Sequence, residues 1–494
     1  MATNDPPPIA SPPRWRAALW LLLVVHAGLA WWLFGSGPIG ASWREADTQA
    51  IARSLATEDF DVLRPRVDWR GKGEGFVECE FPLYQALVAL GLRSVGDAEW
   101  PGRLLSTLAT IASALAFFVL LERRCGGRAA WLGTLVWLGS AQVVFLGTRV
   151  MPDMVSTALA LVGLAAFDAW MHSGRRLAFA MFAVATLLGV MAKPTAAQVV
   201  LLQMAWAALL APARLRRPAP WVVWGVVAVA VAAWTLHARG LGLATGLTFG
   251  VTFGDTKLPG FEHLLRPSVW RSLMGATLEY GASWFGVLAV LVLVVRRRLD
   301  RADLALLVVV AAGLVGSLRY SHDVRLGPQY HIWSAIAGAW LVARAWPTNV
   351  ARGAWWAAVL VVMAHAGWQF AHEHEVRAAN ANAPHLVTAA TLQRLSAPGD
   401  LVVVHGPKPA FDDFWRRPNN YEEPVLLYLS RRKGWVLPVD RADANELRRL
   451  VGEGAGWYVD PVSGAKSPDV KQWLDEHGEM VHSDERATIH RLRR

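Results

Sequence analysis

Carboxylates and cations gather at four places along this chain, in groups that suit acid–base chemistry beside a phosphate. The densest is Trp43-Arg44-Glu45-Ala46-Asp47-Thr48-Gln49-Ala50-Ile51-Ala52-Arg53. Ala46, Ala50 and Ile51 fall at helical spacing, so the segment reads as an amphipathic helix lying on a membrane. Glu45 and Asp47 then sit near its N-terminus, where the helix dipole favours carboxylates. Either acid can act as a general base; both can equally be plain helix-start residues. A second group runs from Asp68-Trp69-Arg70-Gly71 to Glu78-Cys79-Glu80-Phe81-Pro82-Leu83-Tyr84, adding Asp68, Glu78 and Glu80. Gly71, Gly73 and Gly75 imitate a phosphate-cradling loop, but no strand precedes them.

The third group is Arg149-Val150-Met151-Pro152-Asp153. Pro followed by Asp is a common helix start, yet a bare start needs no arginine beside it. The fourth is a scatter of cations: Lys193, Arg319, His322, Arg325 and His331. Arg and Lys hold phosphate by charge-assisted hydrogen bonds, so these residues suit a phosphate at a bilayer surface; the same cations can instead meet lipid head groups. His372 and His374, with Glu373 and Glu375, imitate a metal clip. Their i,i+2 spacing puts the two imidazoles on different helix faces, and no metal ligand is assigned.

The elements that must position these groups are apolar. Of 494 residues 54% are hydrophobic and 18% charged, against about 25% charged in soluble chains. Mean hydropathy is +0.29. A soluble enzyme, a disordered chain and a disulfide scaffold are excluded. Blocks long enough to cross a bilayer, which needs about 20 apolar residues, lie near 16–34, 102–121, 129–147, 152–171, 177–192, 195–211, 220–237, 280–295, 303–317, 330–345 and 353–371. The chain therefore reads as a polytopic α-helical membrane protein with about eleven spans.

The net charge of +10 is a topology signal and not a nucleic-acid signal. With a cytoplasmic N-terminus (1–15), the inward loops and that tail carry sixteen basic residues, and the short outward loops four, as the positive-inside rule requires. Segments 35–100 and 238–279 and the tail 372–494 then face outward, the tail on the periplasmic side of a bacterial cytoplasmic membrane. Cys79 and Cys125 fall on opposite faces as free thiols, so an impermeant thiol reagent applied from outside is expected to reach Cys79. The tail balances eighteen acids against seventeen bases and alternates strand and helix patterns, with strands at 401–405, 435–439, 456–460 and 488–492. It reads as a small α/β domain.

Trp43–Arg53, the Asp68-Trp69-Arg70-Gly71 turn, Glu80-Phe81-Pro82-Leu83-Tyr84 and Arg149…Pro152-Asp153 together resemble the bacterial branch of the protein O-mannosyltransferase superfamily, relatives of the lipid A aminoarabinose transferases. The resemblance is densest over 40–195. It implies the GT-C fold and an inverting transfer of a sugar from a polyprenyl-phosphate-linked donor to a lipid, glycan or protein acceptor outside the membrane. In that family an acidic pair opens the first outer loop and one carboxylate is the base. Here Arg44-Glu45 stands at the pair, with Asp47 two residues on, which leaves two candidates; Asp47 is favoured because Arg44 can engage Glu45. The resemblance requires no cofactor and leaves room for a divalent metal, since some GT-C enzymes use one. Catalytic roles are accordingly expected for Asp47, Glu45 and Asp153. Substrate binding is expected for Arg149, Lys193, Asp68, Glu78, Glu80, Arg319, His322, Arg325 and His331.

Three rival readings differ in where charge belongs. A lipid or glycan flippase places polar residues at midplane in broken helices, whereas the charges here crowd one face. An O-antigen ligase or polymerase leans on Arg and His without the Glu45/Asp47 pair. A sensor uses the soluble tail to bind a ligand.

Overall fold

The structure is a computed structural model and describes residues 13–35, 42–250, 265–281, 283–317, 328–346, 350–380, 383–406, 408–412, 417–418, 424–461 and 467–493. The apolar blocks form helices. In chain order these are α1 Pro13–Phe34, α2 Trp43–Thr57, α3 Leu83–Val95, α4 Trp100–Cys125, α5 Gly127–Leu138, α6 Ala141–Leu146, α7 Asp153–Ser173, α8 Arg176–Ala192, α9 Gln198–Leu210, α10 Pro212–Leu215 and α11 Pro218–Thr245. There follow α12 Pro267–Ala276, α13 Ser283–Val295, α14 Arg301–Ser317, α15 Ile332–Ala345, α16 Arg352–Asn380 and α17 Pro384–Leu395.

Most of each of the eleven expected blocks falls on helix, but block 280–295 begins before the bend that precedes α13 and block 129–147 is divided. Block 129–147 becomes α5 and α6, broken at Gly139-Ser140, where the Ser140 hydroxyl caps α6 by accepting from Val143 N. A Cβ on Gly139 would lie 2.6 Å from Ala366 Cβ, so the break admits a neighbouring helix at close range. Among the described residues α4, α7, α11 and α16, with residues 14–34 of α1, are five helices long and apolar enough to cross a membrane. Counting the pair α12–α13, bent by 100°, as one broken span makes six. The rest are shorter than the roughly 20 residues that a 30 Å crossing needs at 1.5 Å per residue.

The chain forms two compact units: a helical unit of 1–35, 103–234 and 261–375, and a mixed unit of 36–102, 235–260 and 376–494. In the helical unit α7 and α8 pack closely because small residues face each other. A Cβ on Gly163 would meet Thr186 Oγ1 at 2.7 Å and one on Gly189 would meet Ala160 N at 3.1 Å. Small residues let helix backbones approach in lipid. Ser156 Oγ donates to Gly189 O across the same contact, 2.8 Å.

The mixed unit is built on a sheet. Its strands are β1 Leu401–His405, β2 Phe411–Asp412, β3 Arg417–Pro418, β4 Lys433–Leu437, β5 Ala455–Pro461, β6 Gly478–Ser483 and β7 Ala487–Leu492. Five of them form one sheet in the order β4-β1-β5-β7-β6, and β2 and β3 pair separately. β1 runs parallel to β4 and β5, while β7 runs antiparallel to β5 and β6. Alternation along β1 sends Val402 and Val404 to one face and Val403 to the other. The Val403 face packs on Leu447, Leu450, Val470 and Trp473 of the two helices Ala444–Gly452 and Pro468–His477. The Val402/Val404 face shares a core with Ile51, Leu55, Val67, Trp69 and Val77. Residues of 42–102 and 235–250, which the sequence assigns to the membrane region, thus pack with the tail. β6 and α17 escaped the sequence reading; β6 is a largely exposed edge strand with no apolar alternation to reveal it.

α2 departs from expectation. It is not an amphipathic helix on a surface, because every residue from Glu45 to Ala52 is buried. Three alanines, Ala46, Ala50 and Ala52, leave it slim enough to be enclosed. Both cysteines are free, but burial pushes the Cys79 thiol up to about 12. That alters the labelling expectation, since thiolate is the reactive form. An impermeant maleimide should leave Cys79 unmodified in folded protein and modify it once denaturant is added. Rapid modification without denaturant would show that this core opens.

Candidate functional site

In the mixed unit the acids of α2 are fixed from the loop that follows. Asp47 has no measurable exposure, and its Oδ1 accepts a hydrogen bond from the Trp69 indole nitrogen at 2.9 Å. Trp69 is held in turn by the turn it occupies. Gly71 N donates to Gly434 O at 2.6 Å, and Gly434 N donates to Asp68 O at 3.2 Å, so residues 68–71 lie along the edge of β4. Gly71 has φ +54, and a Cβ there would sit 2.2 Å from Trp435 Nε1. Gly75, at φ +80, turns a short hairpin in which Val67 N donates to Gly75 O, 3.0 Å. The three glycines therefore serve hairpin geometry.

Arg44 does not engage Glu45. It pairs with Glu80 and lies over the Phe249 ring, 4.8 Å from its centroid. Adjacent helical residues point about 100° apart and do not face each other, so Arg44 and Glu45 address different neighbours. Asp68 is bound by Arg53 at 2.5 Å. Glu78 accepts from the Thr248 hydroxyl, and its backbone pairs with Leu247 and Phe249. Asp68, Glu78 and Glu80 are thus part of the framework that holds α2. Burial works against the Arg53 charge, but Asp68 and Asp97 outweigh it and raise its pKa. Burial likewise raises the Tyr428 hydroxyl, whose ring Arg53 covers at 4.7 Å.

Glu58 ties this framework to the tail. It accepts from Arg70 at 2.6 Å, from Arg66 at 3.0 Å and from Lys433 at 2.8 Å. Partial burial opposes its ionisation, but the hydrogen bonds from Arg70 and Lys433 prevail and hold it at about 2. A depressed carboxylate stabilises the fold above its ordinary value and loses that contribution as pH falls through the folded one. Melting temperature should therefore drop between pH about 4.5 and about 2, and the drop should be shallower in Glu58→Gln. Identical pH profiles for the two proteins would remove Glu58 from this role.

In the helical unit the Arg149–Asp153 loop is pinned from α4. Ser106 Oγ donates to Arg149 O at 2.7 Å, and Thr107 Oγ1 to Gly147 O at 3.0 Å. Arg149 pairs with Glu373 at 2.8 Å and covers the Phe145 ring at 4.5 Å. Asp153 opens α7 and is 1% exposed; its Oδ1 accepts from Lys193 Nζ at 2.5 Å. Lys193 sits in extended backbone where α8 ends, so the tight α7–α8 pair delivers it to Asp153. His331 is buried, its ring 6.1 Å from Tyr280. Arg319, His322 and Arg325 lie outside the described residues.

The three expected catalytic acids divide between the units: Glu45 and Asp47 in the mixed one, Asp153 in the helical one. Sequence reasoning paired neither Asp47 with Trp69 nor Asp153 with Lys193, and it missed Arg53. A Trp beside an Asp in a tight turn is the one signal that pointed to Trp69. Among the described residues no group of three or more His, Cys, Asp or Glu side chains could hold a metal ion. His372 stacks on Trp368 and His374 on Trp32, while Glu373 belongs to Arg149.

Residues 80–237 match the family model described as dolichyl-phosphate-mannose-protein mannosyltransferase. That stretch includes Arg149, Asp153 and Lys193 and begins after Asp47. No curated protein matches the sequence at a significant level. Among solved structures, ArnT from Cupriavidus metallidurans bound to undecaprenyl phosphate is 14% identical with a TM-score of 0.64, covering 96% of this chain and 97% of that one. The archaeal oligosaccharyltransferase AglB from Archaeoglobus fulgidus, in complex with an inhibitory peptide and a dolichol-phosphate, is 10% identical with a TM-score of 0.58, covering 94% and 72%. The mycobacterial arabinofuranosyltransferase AftD is 15% identical with a TM-score of 0.53, covering 96% and 40%. The fold agrees with what the motif resemblance implies: the chain has the GT-C fold of these structures, and residues 80–237 resemble the mannosyltransferase family model.

Proposed function

We propose that this chain is an inverting glycosyltransferase that moves a sugar from a polyprenyl-phosphate carrier to an acceptor hydroxyl at the outer face of a bacterial cytoplasmic membrane. The observation that carries this is Asp47: a wholly buried carboxylate whose one oxygen is held by the Trp69 indole. A carboxylate oriented by a second group is the arrangement expected of a general base. As the acceptor oxygen attacks the anomeric carbon, Asp47 takes its proton, the bond from that carbon to the phosphate oxygen breaks, and polyprenyl phosphate leaves. Direct attack inverts the anomeric centre. Glu45, on the same buried helix, is the alternative base.

The leaving phosphate gains charge and needs preorganised cations. Arg149 has five N–H donors, so it can keep Glu373 and still bind a phosphate oxygen; Lys193 is the second candidate. The bound lipid phosphates of ArnT and AglB support a carrier of this class. Arg149→Ala should lower turnover by about tenfold or more, the scale of one charge-assisted hydrogen bond, with the folded protein recovered in normal yield. The assay is release of polyprenyl phosphate from a panel of polyprenyl-phosphate sugars by protein in nanodiscs. Unchanged kinetics in Arg149→Ala would take that residue out of the site. No release from any donor by the parent protein would refute the activity.

A further inference from the structure

Resting on that reading, we infer that an open cleft of the mixed unit, between β4 and the helix Ala444–Gly452, binds the glycan part of the acceptor, with Trp435 as the surface on which a sugar ring lies. The cleft has a volume of about 770 Å³ and is lined by residues including Trp435, Asp440, Arg441, Asp443, Asn445 and Arg449. Clefts that take small ligands span roughly 300–1,000 Å³. The sheet explains why an aromatic stands there. Trp435 is the register partner of Val403, so its indole is on the face that the helices Ala444–Gly452 and Pro468–His477 cover. Those helices pack chiefly on β5, β6 and β7, and at the β4 end Trp435 stays only partly buried. Gly71 backs the indole, since an added Cβ would fall 2.2 Å from Nε1, and this limits its movement.

The polar lining is fixed by the protein itself. Asp440 Oδ1 accepts from Ala410 N and Asp443 Oδ1 from Glu446 N, each at 2.7 Å. Arg449 bridges Glu446 and Glu453. A carboxylate offers about four lone-pair sites and a guanidinium five N–H donors, so each keeps capacity for a ligand. Three ligand classes compete for such a cleft. An anion meets the carboxylates of Asp440 and Asp443, and the helix N-terminus that would attract it is already capped by Asp443. An extended peptide needs a run of open strand edge. Along β4 the outward backbone of Gly434 is taken by Asp68 and Gly71, and Pro438 has no N–H, which leaves Val436 alone. A sugar fits better: its C–H face lies on an indole, and its neighbouring hydroxyls both donate and accept, as interleaved carboxylates, amide and guanidinium require. A glycan held in this cleft raises the local concentration of acceptor, so the cleft should act on KM.

The test is calorimetric titration of the full chain in nanodiscs with gluco-, manno- and galacto-configured oligosaccharides of two to six sugars, with N-acetylglucosamine oligomers, with inorganic phosphate and with an alternating Val-Thr peptide. The parent protein should bind at least one oligosaccharide and prefer it to phosphate and peptide. Trp435→Ala should weaken that binding about tenfold, the scale of a good aromatic contact. Asn445→Ala changes an exposed helix position to a better helix former, so it should keep the parental melting temperature and weaken binding about fivefold, the scale of one hydrogen bond. Where Trp435→Ala does not fold, Asn445→Ala decides. No oligosaccharide bound by the parent, a preference for phosphate or peptide, or parental affinity in the folded variants overturns the inference. The transfer reading fails separately. Oligosaccharide binding by a protein that releases no polyprenyl phosphate from any donor leaves the cleft standing and sinks transfer. Transfer with acceptor KM unchanged in both variants does the reverse.

Discussion

Asp47→Asn should slow sugar transfer by about 10²–10⁴-fold, the usual worth of a general base, while the protein folds and binds donor as before. The amide keeps the shape of the carboxylate, and its oxygen can still accept from Trp69, now at 2.9 Å. What it cannot do is take the acceptor's proton. Glu45→Gln is the control on the same helix and should fall less. Trp69→Phe removes only the orienting N–H, so it should reduce kcat by a smaller factor, with donor binding kept. The measurement is steady-state release of polyprenyl phosphate beside thermal unfolding of each variant. Near-parental turnover in Asp47→Asn would move the base to Glu45 and invert the ranking of the two acids.

Gly434→Ala should have the largest effect on stability. A Cβ there would lie 1.7 Å from Val402 O and 2.7 Å from Val402 C, both backbone atoms of β1. Strand backbone cannot step aside without breaking its ladder. Overpacking commonly costs about 1–3 kcal/mol and can cost more. The damage reaches further than one pair, because Gly434 also accepts from Gly71 N and donates to Asp68 O. Losing those bonds loosens the turn that carries Trp69, so activity should fall with stability. Gly452→Ala, with nothing within 4 Å of the added carbon, is the control and should stay within about 0.5 kcal/mol. Equal melting temperatures for the two variants would contradict the close β1–β4 approach.

The helices were legible because apolar blocks and arginine-bearing loops are signals local to the sequence. Strands β1, β5 and β7 were legible for the same reason: Leu401–His405 and its partners are β-rich runs bounded by turn residues. What was not legible is who meets whom. Arg44 pairing with Glu80 and Arg53 with Asp68 depends on how the loop folds over α2. The burial of α2 depends on a tail more than 300 residues away in the chain, through the core that joins Ile51 and Leu55 to Val402 and Val404. A helix of alternating small and polar residues looks amphipathic until its second partner is known. Lys193 and Asp153 come together because Gly163 and Gly189 let two helices touch. Nothing in the residues around Lys193 announces that contact.

The most direct measurement of the central claim is the anomeric configuration of the transferred sugar. A donor of defined configuration, carried on polyprenyl phosphate, is turned over by protein in nanodiscs, and the product is read by the anomeric proton and carbon coupling in NMR. Base-assisted attack with Asp47 taking the proton predicts inversion in every product molecule, with product formed about 10²–10⁴-fold more slowly in Asp47→Asn. Retention of configuration would require a double displacement and would contradict the account.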